Sequence, residues 1–98
     1  MSVTVRMVEP GDESAWAELY AGYRAFYRLA DDASAVATTW QWVRDGEHGL
    51  VGLVAVDDAG RPVALANLRW FARPSSATMG LYLDDLFTAP EASGNGAA

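Results

Sequence analysis

Two apolar runs of strand length, joined by a short turn, constrain the fold of this 98-residue chain more than any other feature. The first run covers residues 50–56, the second covers residues 62–71, and the turn between them is Asp57-Asp58-Ala59-Gly60-Arg61. Two such runs around a short turn that contains glycine are typical of a β-hairpin. The sequence therefore predicts an antiparallel sheet.

Two helices are predicted upstream of the hairpin. Residues 13–29 carry apolar side chains at three- and four-residue spacing, the pattern of an amphipathic helix, and Asp12 is placed to be its N-cap. The apolar stripe of this helix comprises Trp16, Leu19, Tyr20, Tyr23, Phe26 and Tyr27. A shorter helix is predicted for residues 35–44, after a capping cluster at residues 31–34, and Gly46 suits the left-handed position that ends many helices.

Two more strands complete the predicted fold. Val3, Val5 and Met7 alternate with polar residues, which predicts a half-buried first strand. A last strand is predicted for residues 78–88, and the small residues behind it, 91–98, predict a flexible tail. The element order is β-α-α-β-β-β, so we expect an α+β fold with a four-stranded antiparallel sheet and two helices.

The composition points to one small domain over residues 1–98, because the chain is long enough for a single core and half of its residues are hydrophobic. The net charge is −6, with seven arginines and no lysine. We therefore expect no binding to nucleic acid or to anionic membrane, since both need a basic surface. The same charge would attract a cationic ligand such as an amine, or it would serve solubility alone.

The absence of cysteine excludes a disulfide framework and a thiolate metal site, and the single histidine, His48, lies in a predicted loop. We therefore expect no bound metal. The apolar runs are too short to span a bilayer, and residues 1–6 lack the apolar core of a signal peptide. The expected location is the cytoplasm.

Two adjacent carboxylates on the last predicted strand, Asp84 and Asp85, are the candidate catalytic residues. Neighbouring side chains on a strand point to opposite faces, so one of the two is expected to point inward. A half-buried carboxylate needs a cation or hydrogen-bond donors, and such a group can bind an amine or accept its proton. The alternative is structural: either carboxylate could pair with Arg69 or Arg73 of the neighbouring strand.

The glycine-rich segment at the end of the chain, Ser93-Gly94-Asn95-Gly96-Ala97-Ala98, follows this strand. Glycines let consecutive backbone N–H groups converge on an anion, and the N-terminus of a following helix would add its partial positive charge. The segment is therefore a candidate phosphate-binding turn. The alternative is a terminus without regular structure.

With these features the chain resembles the N-terminal half of the GCN5-related N-acetyltransferase (GNAT) superfamily. In that family the fourth strand leads into a pyrophosphate loop of the form Gln/Arg-x-x-Gly-x-Gly/Ala. Here Gly96 and Ala98 fall on its last two fixed positions, and Gly94 fits the approach to it. Ser93 and Asn95 depart from the pattern, because Gln or Arg is expected at the first position and a basic residue is common at the second.

The resemblance implies acetyl transfer from acetyl-CoA to a small amine. It implies that Asp84 or Asp85 binds the amine or accepts its proton through water. It also implies two sets of binding residues. Backbone groups after a bulge in the fourth strand, at Leu86, Phe87 and Thr88, would pair with the pantetheine arm of acetyl-CoA and polarise the thioester carbonyl, and Gly94, Gly96 and Ala98 would hold the pyrophosphate. The acceptor pocket would be walled by Tyr23, Phe26 and Tyr27.

The run Tyr82-Leu83-Asp84-Asp85-Leu86-Phe87 is similar to the subgroup that includes polyamine and diamine acetyltransferases. In the family, the helix after the loop and the fifth strand lie beyond the position of Ala98. The resemblance therefore implies a truncated domain that is inactive alone and needs a complementing C-terminal half. Two alternatives stay open: a homodimer paired through the edge of the fourth strand, without catalysis, and a module that binds a small amine.

Overall fold

The computed structural model describes residues 2–92, which form a four-stranded antiparallel sheet with two helices on one of its faces. The predicted α+β class and the element order are confirmed. The strands and helices are β1 (Thr4–Met7), α1 (Glu13–Phe26), α2 (Ala33–Asp45), β2 (Leu50–Val56), β3 (Pro62–Arg73) and β4 (Thr78–Thr88). The strands lie in the order β1-β2-β3-β4, and short 3-10 turns lie at Pro10–Asp12, Glu47–Gly49 and Pro90–Ala92. No helix in this part of the chain is long and apolar enough to cross a membrane.

The helix ends differ slightly from the prediction. α1 ends three residues early, because the chain leaves the helix and Arg28 adopts a left-handed conformation with φ of 57°. α2 begins two residues early, where the side chain of Asp32 accepts a hydrogen bond of 3.0 Å from the backbone N–H of Ala35. Gly46 ends α2 with φ of 69°, as its sequence position predicts.

Asp12 precedes α1 as predicted, but its side chain does not cap that helix. The carboxylate is buried and accepts two bonds from Arg6 of β1, at 2.7 and 3.0 Å, and one of 2.8 Å from the backbone N–H of Glu9. The bonds from Arg6 and Glu9 hold the pKa of Asp12 below its ordinary value, although burial opposes them. This bidentate pair ties the first strand to the start of the first helix.

The core lies between the two helices and one face of the sheet. Trp16 of α1 is completely buried, and its ring lies 5.4 Å from that of Trp40 in α2. Trp40 is 3% exposed and Trp42 is 37% exposed, which confirms that two residues so close in a helix cannot share its buried face. The other buried members of this core are Leu19, Tyr20, Val43, Val54, Val56, Val63, Leu65 and Ala89.

The expected burial of the first strand is only partly correct. Val3 packs against the core, but Val5 and Met7 are 63% and 61% exposed. The reason is the orientation of β1: the alternate residue Arg6 points toward α1 to meet Asp12, so its apolar neighbours lie on the sheet face opposite the helices.

Candidate functional site

A β-bulge in β4 shapes the candidate site. Asn67 of β3 faces Asp85, whereas the next residue, Leu68, faces Leu83. Asp84 is therefore one extra residue on β4, with no partner of its own on β3. A bulge of this kind interrupts the alternation of side chains and redirects those beside it.

The bulge brings both candidate carboxylates against the same face of β3. Asp85 accepts a hydrogen bond of 3.0 Å from the side-chain amide of Asn67, and Asp84 accepts one of 3.0 Å from the guanidinium of Arg69. Asn67 and Arg69 are two positions apart on a strand, so they share a face. The prediction that Asp84 and Asp85 point to opposite faces is wrong for this reason, whereas the prediction that one points inward holds for the half-buried Asp85.

Asp85 is held by neutral hydrogen-bond donors. Its Oδ2 atom accepts from the Nδ2 atom of the fully buried Asn67 and, at 3.3 Å, from the phenol of Tyr20. Within residues 2–92, no arginine comes within salt-bridge distance of this carboxylate. Asp85 therefore keeps an uncompensated negative charge in a half-buried position.

Asp84 differs from its neighbour because its charge is already balanced. Arg69 binds it in a salt bridge of 3.0 Å, and the same guanidinium lies 5.0 Å from the ring centre of Tyr82. The structural alternative from the sequence is thus confirmed for Asp84, with Arg69 as the partner. Arg73, the other candidate partner, lies over the ring of Phe71 instead.

A row of aromatic rings on α1 and at its C-terminal cap leads from the core past Asp85 to the surface. The ring of Tyr20 lies 4.9 Å from that of Trp16 and 5.4 Å from that of Tyr23, which in turn lies 4.8 Å from that of Tyr27. Burial, followed by the charge of Asp85, raises the pKa of Tyr20 to about 12, and burial and Asp85 also raise the pKa of Tyr23. Both phenols therefore stay protonated at neutral pH and remain hydrogen-bond donors.

An apolar cavity of about 670 Å³ lies between α1 and the end of β4. Its walls include Gly22, Phe26, Val63 and Phe87. Gly22 makes room for the aromatic wall, since a Cβ atom there would lie 3.0 Å from the ring of Phe87. The predicted acceptor residues are thus divided: Phe26 lines this cavity, whereas Tyr23 belongs to the aromatic row beside Asp85.

The outer edge of β4 carries the predicted backbone groups for acetyl-CoA. The N–H of Ala89 donates to the carbonyl of Val63 in β3 at 2.8 Å. Because hydrogen-bonded and non-hydrogen-bonded pairs alternate in an antiparallel ladder, the backbone of Phe87 faces β3, and the backbone groups of Leu86 and Thr88 face outward. Within the described part of the chain, β4 is the last strand on this side of the sheet, so those groups pair with no other strand.

The predicted pyrophosphate residues Gly94, Gly96 and Ala98 lie outside the described residues, as do Ser93 and Asn95. Of the predicted tail, residues 91–98, the structure describes only Glu91 and Ala92, which end the turn at Pro90–Ala92.

Sequence reasoning missed two residues of the site, Tyr20 and Asn67. Helical spacing places Tyr20 in the apolar stripe, which is correct for its ring but does not predict that its hydroxyl donates to Asp85. Asn67 had a usable signal, because it is the single polar residue in the apolar run of residues 62–68. A lone polar residue in such a run must find a partner inside the fold.

Neither a protein-family model nor a curated protein matches the chain. Solved structures do match it. A probable acetyltransferase superposes with a TM-score of 0.83 at 19% identity, over 100% of this chain and 64% of the other. A ribosomal-protein-alanine N-acetyltransferase from Brucella melitensis superposes with a TM-score of 0.79 at 18% identity, over 100% of this chain and 64% of the other. A GNAT family acetyltransferase from Staphylococcus aureus superposes with a TM-score of 0.76 at 8% identity, over 98% of this chain and 69% of the other.

These similarities show a shared fold and not a shared function, because all three sequence identities are below 25%. The chain spans 64% of the length of the first two of these structures. Its two helices and its four-stranded antiparallel sheet superpose on them over 98–100% of this chain. The chain therefore has the β-α-α-β-β-β half-fold of the GNAT acetyltransferases.

Proposed function

We propose that this chain forms the part of a GNAT-type N-acetyltransferase that binds a small amine and the acetyl-bearing arm of acetyl-CoA. The observation that carries the proposal is the environment of Asp85. This carboxylate is half-buried, is oriented by Tyr20 and Asn67, and has no cationic partner within residues 2–92. An ammonium group supplies the missing positive charge, and the neighbouring aromatic rings favour a cation as well.

Asp85 is the proposed proton acceptor. It holds the ammonium form of the acceptor and takes one proton from it, directly or through water, so that the nitrogen gains a free lone pair. The nitrogen then bonds to the thioester carbonyl carbon, the carbon–sulfur bond breaks, and the second proton of the nitrogen passes to the departing CoA thiolate. Tyr20 and Asn67 keep the carboxylate in place throughout, since both donate to the same oxygen.

The free edge of β4 is the proposed site for acetyl-CoA. The outward backbone groups of Leu86 and Thr88 suit the amides of a pantetheine arm, and an outward N–H near the bulge suits the thioester oxygen. Phe87 contributes its ring to the apolar cavity next to this edge. The pyrophosphate is assigned to Gly94, Gly96 and Ala98 on the strength of the sequence resemblance.

The acceptor is proposed to be a small polyamine or diamine, because Asp85 offers one uncompensated charge and the resemblance of residues 82–87 is to that subgroup. We expect this chain by itself to bind its two substrates without turning them over. The reason is that about a third of the length of the matched acetyltransferases lies outside the part that this chain covers.

Calorimetric titration with acetyl-CoA and, separately, with spermidine tests the proposal. Binding of both is the expected result, with spermidine affinity falling as salt is added, since charge attracts it. If spermidine binds and acetyl-CoA does not, the result would favour the second candidate function, a module that binds small amines without catalysis. The environment of Asp85 supports that function as well. Failure of both ligands to bind at millimolar concentration would refute the two functions together.

A further inference from the structure

Two carboxylates lie side by side at the bulge of β4, and they differ in their partners. Asp85 accepts from the side-chain amide of Asn67, whereas Asp84 accepts from the guanidinium of Arg69. Asn67 and Arg69 are two positions apart on β3, so at about 3.3 Å per residue their backbones lie about 7 Å apart. The two carboxylates are therefore neighbours on one face of the sheet, and without Arg69 they would form a doubly negative pair.

Arg69 is held beside Asp84 by two kinds of contact. Its Nε atom lies 3.1 Å from Oδ1 and 3.0 Å from Oδ2 of Asp84, and its guanidinium lies 5.0 Å from the ring centre of Tyr82. The side chain of Arg69 is 52% exposed and that of Asp84 is 27% exposed. An ion pair this exposed contributes little to folding stability. Its effect on charge is larger, because it leaves a neutral pair next to a carboxylate that keeps its negative charge.

The other arginine of β3 does not share this role. Arg73 lies 5.2 Å from the ring centre of Phe71 and makes no salt bridge within residues 2–92. In the same part of the chain, Arg69 alone forms a salt bridge with Asp84, and none is formed with Asp85. The charge of this pair of carboxylates therefore depends on one side chain, that of Arg69.

We propose that Arg69 is a specificity-determining residue of the amine site, because its salt bridge to Asp84 limits that site to one ammonium group of the acceptor. This inference rests on the proposed function, since it concerns the amine held by Asp85. The spacing of the two carboxylates is comparable with that of the two nitrogens of putrescine, a four-carbon diamine. Arg69 thus takes the place of a second ammonium group, and a ligand has to compete with a cation that belongs to the same chain.

Two amines with the same number of carbon atoms test the inference: butylamine, with one ammonium group, and putrescine, with two. Isotope-labelled protein is titrated with each amine at fixed pH and ionic strength. The NMR signals of the Asn67 side-chain amide report occupancy, since this group donates to Asp85 at 3.0 Å. The wild type is expected to bind the two amines with Kd values within about threefold of each other, because the site has one free charge.

Arg69→Gln removes the positive charge beside Asp84 and keeps a polar side chain. This variant is expected to bind putrescine about fivefold more tightly, the effect of one exposed ion pair. Butylamine should gain less than about twofold, because its single charge lies about 7 Å from Asp84 and salt screens it. The matched control combines Arg69→Gln with Asp84→Asn. It lacks both charges of the pair, so the two amines should again bind within about threefold of each other.

The backbone amide spectrum of each variant establishes that it is folded, and Arg69→Met serves as a second variant if Arg69→Gln is not. Three results would overturn the inference and leave the proposed function standing. They are a wild type that already prefers putrescine by more than about tenfold, an equal gain or no gain for the two amines in Arg69→Gln, and a gain for putrescine that persists in the double variant. A wild type that binds neither amine would instead refute the proposed function, and the inference with it.

Discussion

Asp85→Asn removes the charge on which the proposed amine site depends and leaves the shape of the side chain almost unchanged. An asparagine oxygen can still accept from Tyr20 and Asn67, so the fold should survive. A unit charge about 4 Å away contributes roughly 4 kcal/mol at the effective dielectric constant of a protein surface. Partial exposure of Asp85 and screening by salt reduce this to about 2 kcal/mol, so the Kd for spermidine should rise about 30-fold.

Asp84→Asn is the matched control, because it removes the same charge from the adjacent residue. Arg69 already balances Asp84 at 3.0 Å, so this variant should change the Kd by less than about threefold. Calorimetry at fixed pH and ionic strength measures both variants against the wild type. Equal losses of affinity in the two variants, or a greater loss in Asp84→Asn, would contradict the assignment of the site to Asp85.

Three further predictions concern the polar groups of the fold. Asp12→Ala should lower the free energy of unfolding, measured in urea, by about 2–3 kcal/mol, because it leaves Arg6 without its buried carboxylate partner. The pKa of Asp12 is lowered in the folded state, so the wild type should lose this contribution to stability as pH falls below about 4. Asp85→Asn should lower the pKa of Tyr20 from about 12, visible in the phenolate absorbance, with burial keeping it above that of free tyrosine. Asn67→Asp should destabilise the fold by about 2–4 kcal/mol at pH 7, because the new carboxylate would lie about 3 Å from that of Asp85. Lowering the pH should restore stability, and equal stability of this variant at pH 5 and 7 would contradict the prediction.

The fold was predictable from local signals. Residues 50–56 and 78–88 alternate or run as strands with turn residues around them, and both predicted ranges are confirmed without change. Gly46 marked a helix end because only a residue without a Cβ atom adopts its conformation cheaply. The burial of β1 was not predictable, since alternation shows which residues share a face and does not show which face the helices cover.

The site was predictable as a region and not as a set of contacts. The adjacent carboxylates and the aromatic stripe indicated where chemistry could lie. The different roles of Asp84 and Asp85 depend on the bulge between Leu83 and Asp85. Its trace in the sequence is the three-residue step from Leu83 to Leu86, which does not show how each carboxylate is paired. The contact between Tyr20 and Asp85 joins residues 65 positions apart and requires the packed fold.

The most direct test of the acetyltransferase assignment is to titrate isotope-labelled protein with acetyl-CoA and follow every backbone amide by NMR. The proposal predicts saturable shifts that are largest at Leu86 and Thr88 on the outer edge of β4, with little change at Val5 in β1. It also predicts that Thr88→Pro weakens these shifts, because that variant lacks one outward N–H. An absence of shifts along β4 at millimolar acetyl-CoA would contradict the central claim.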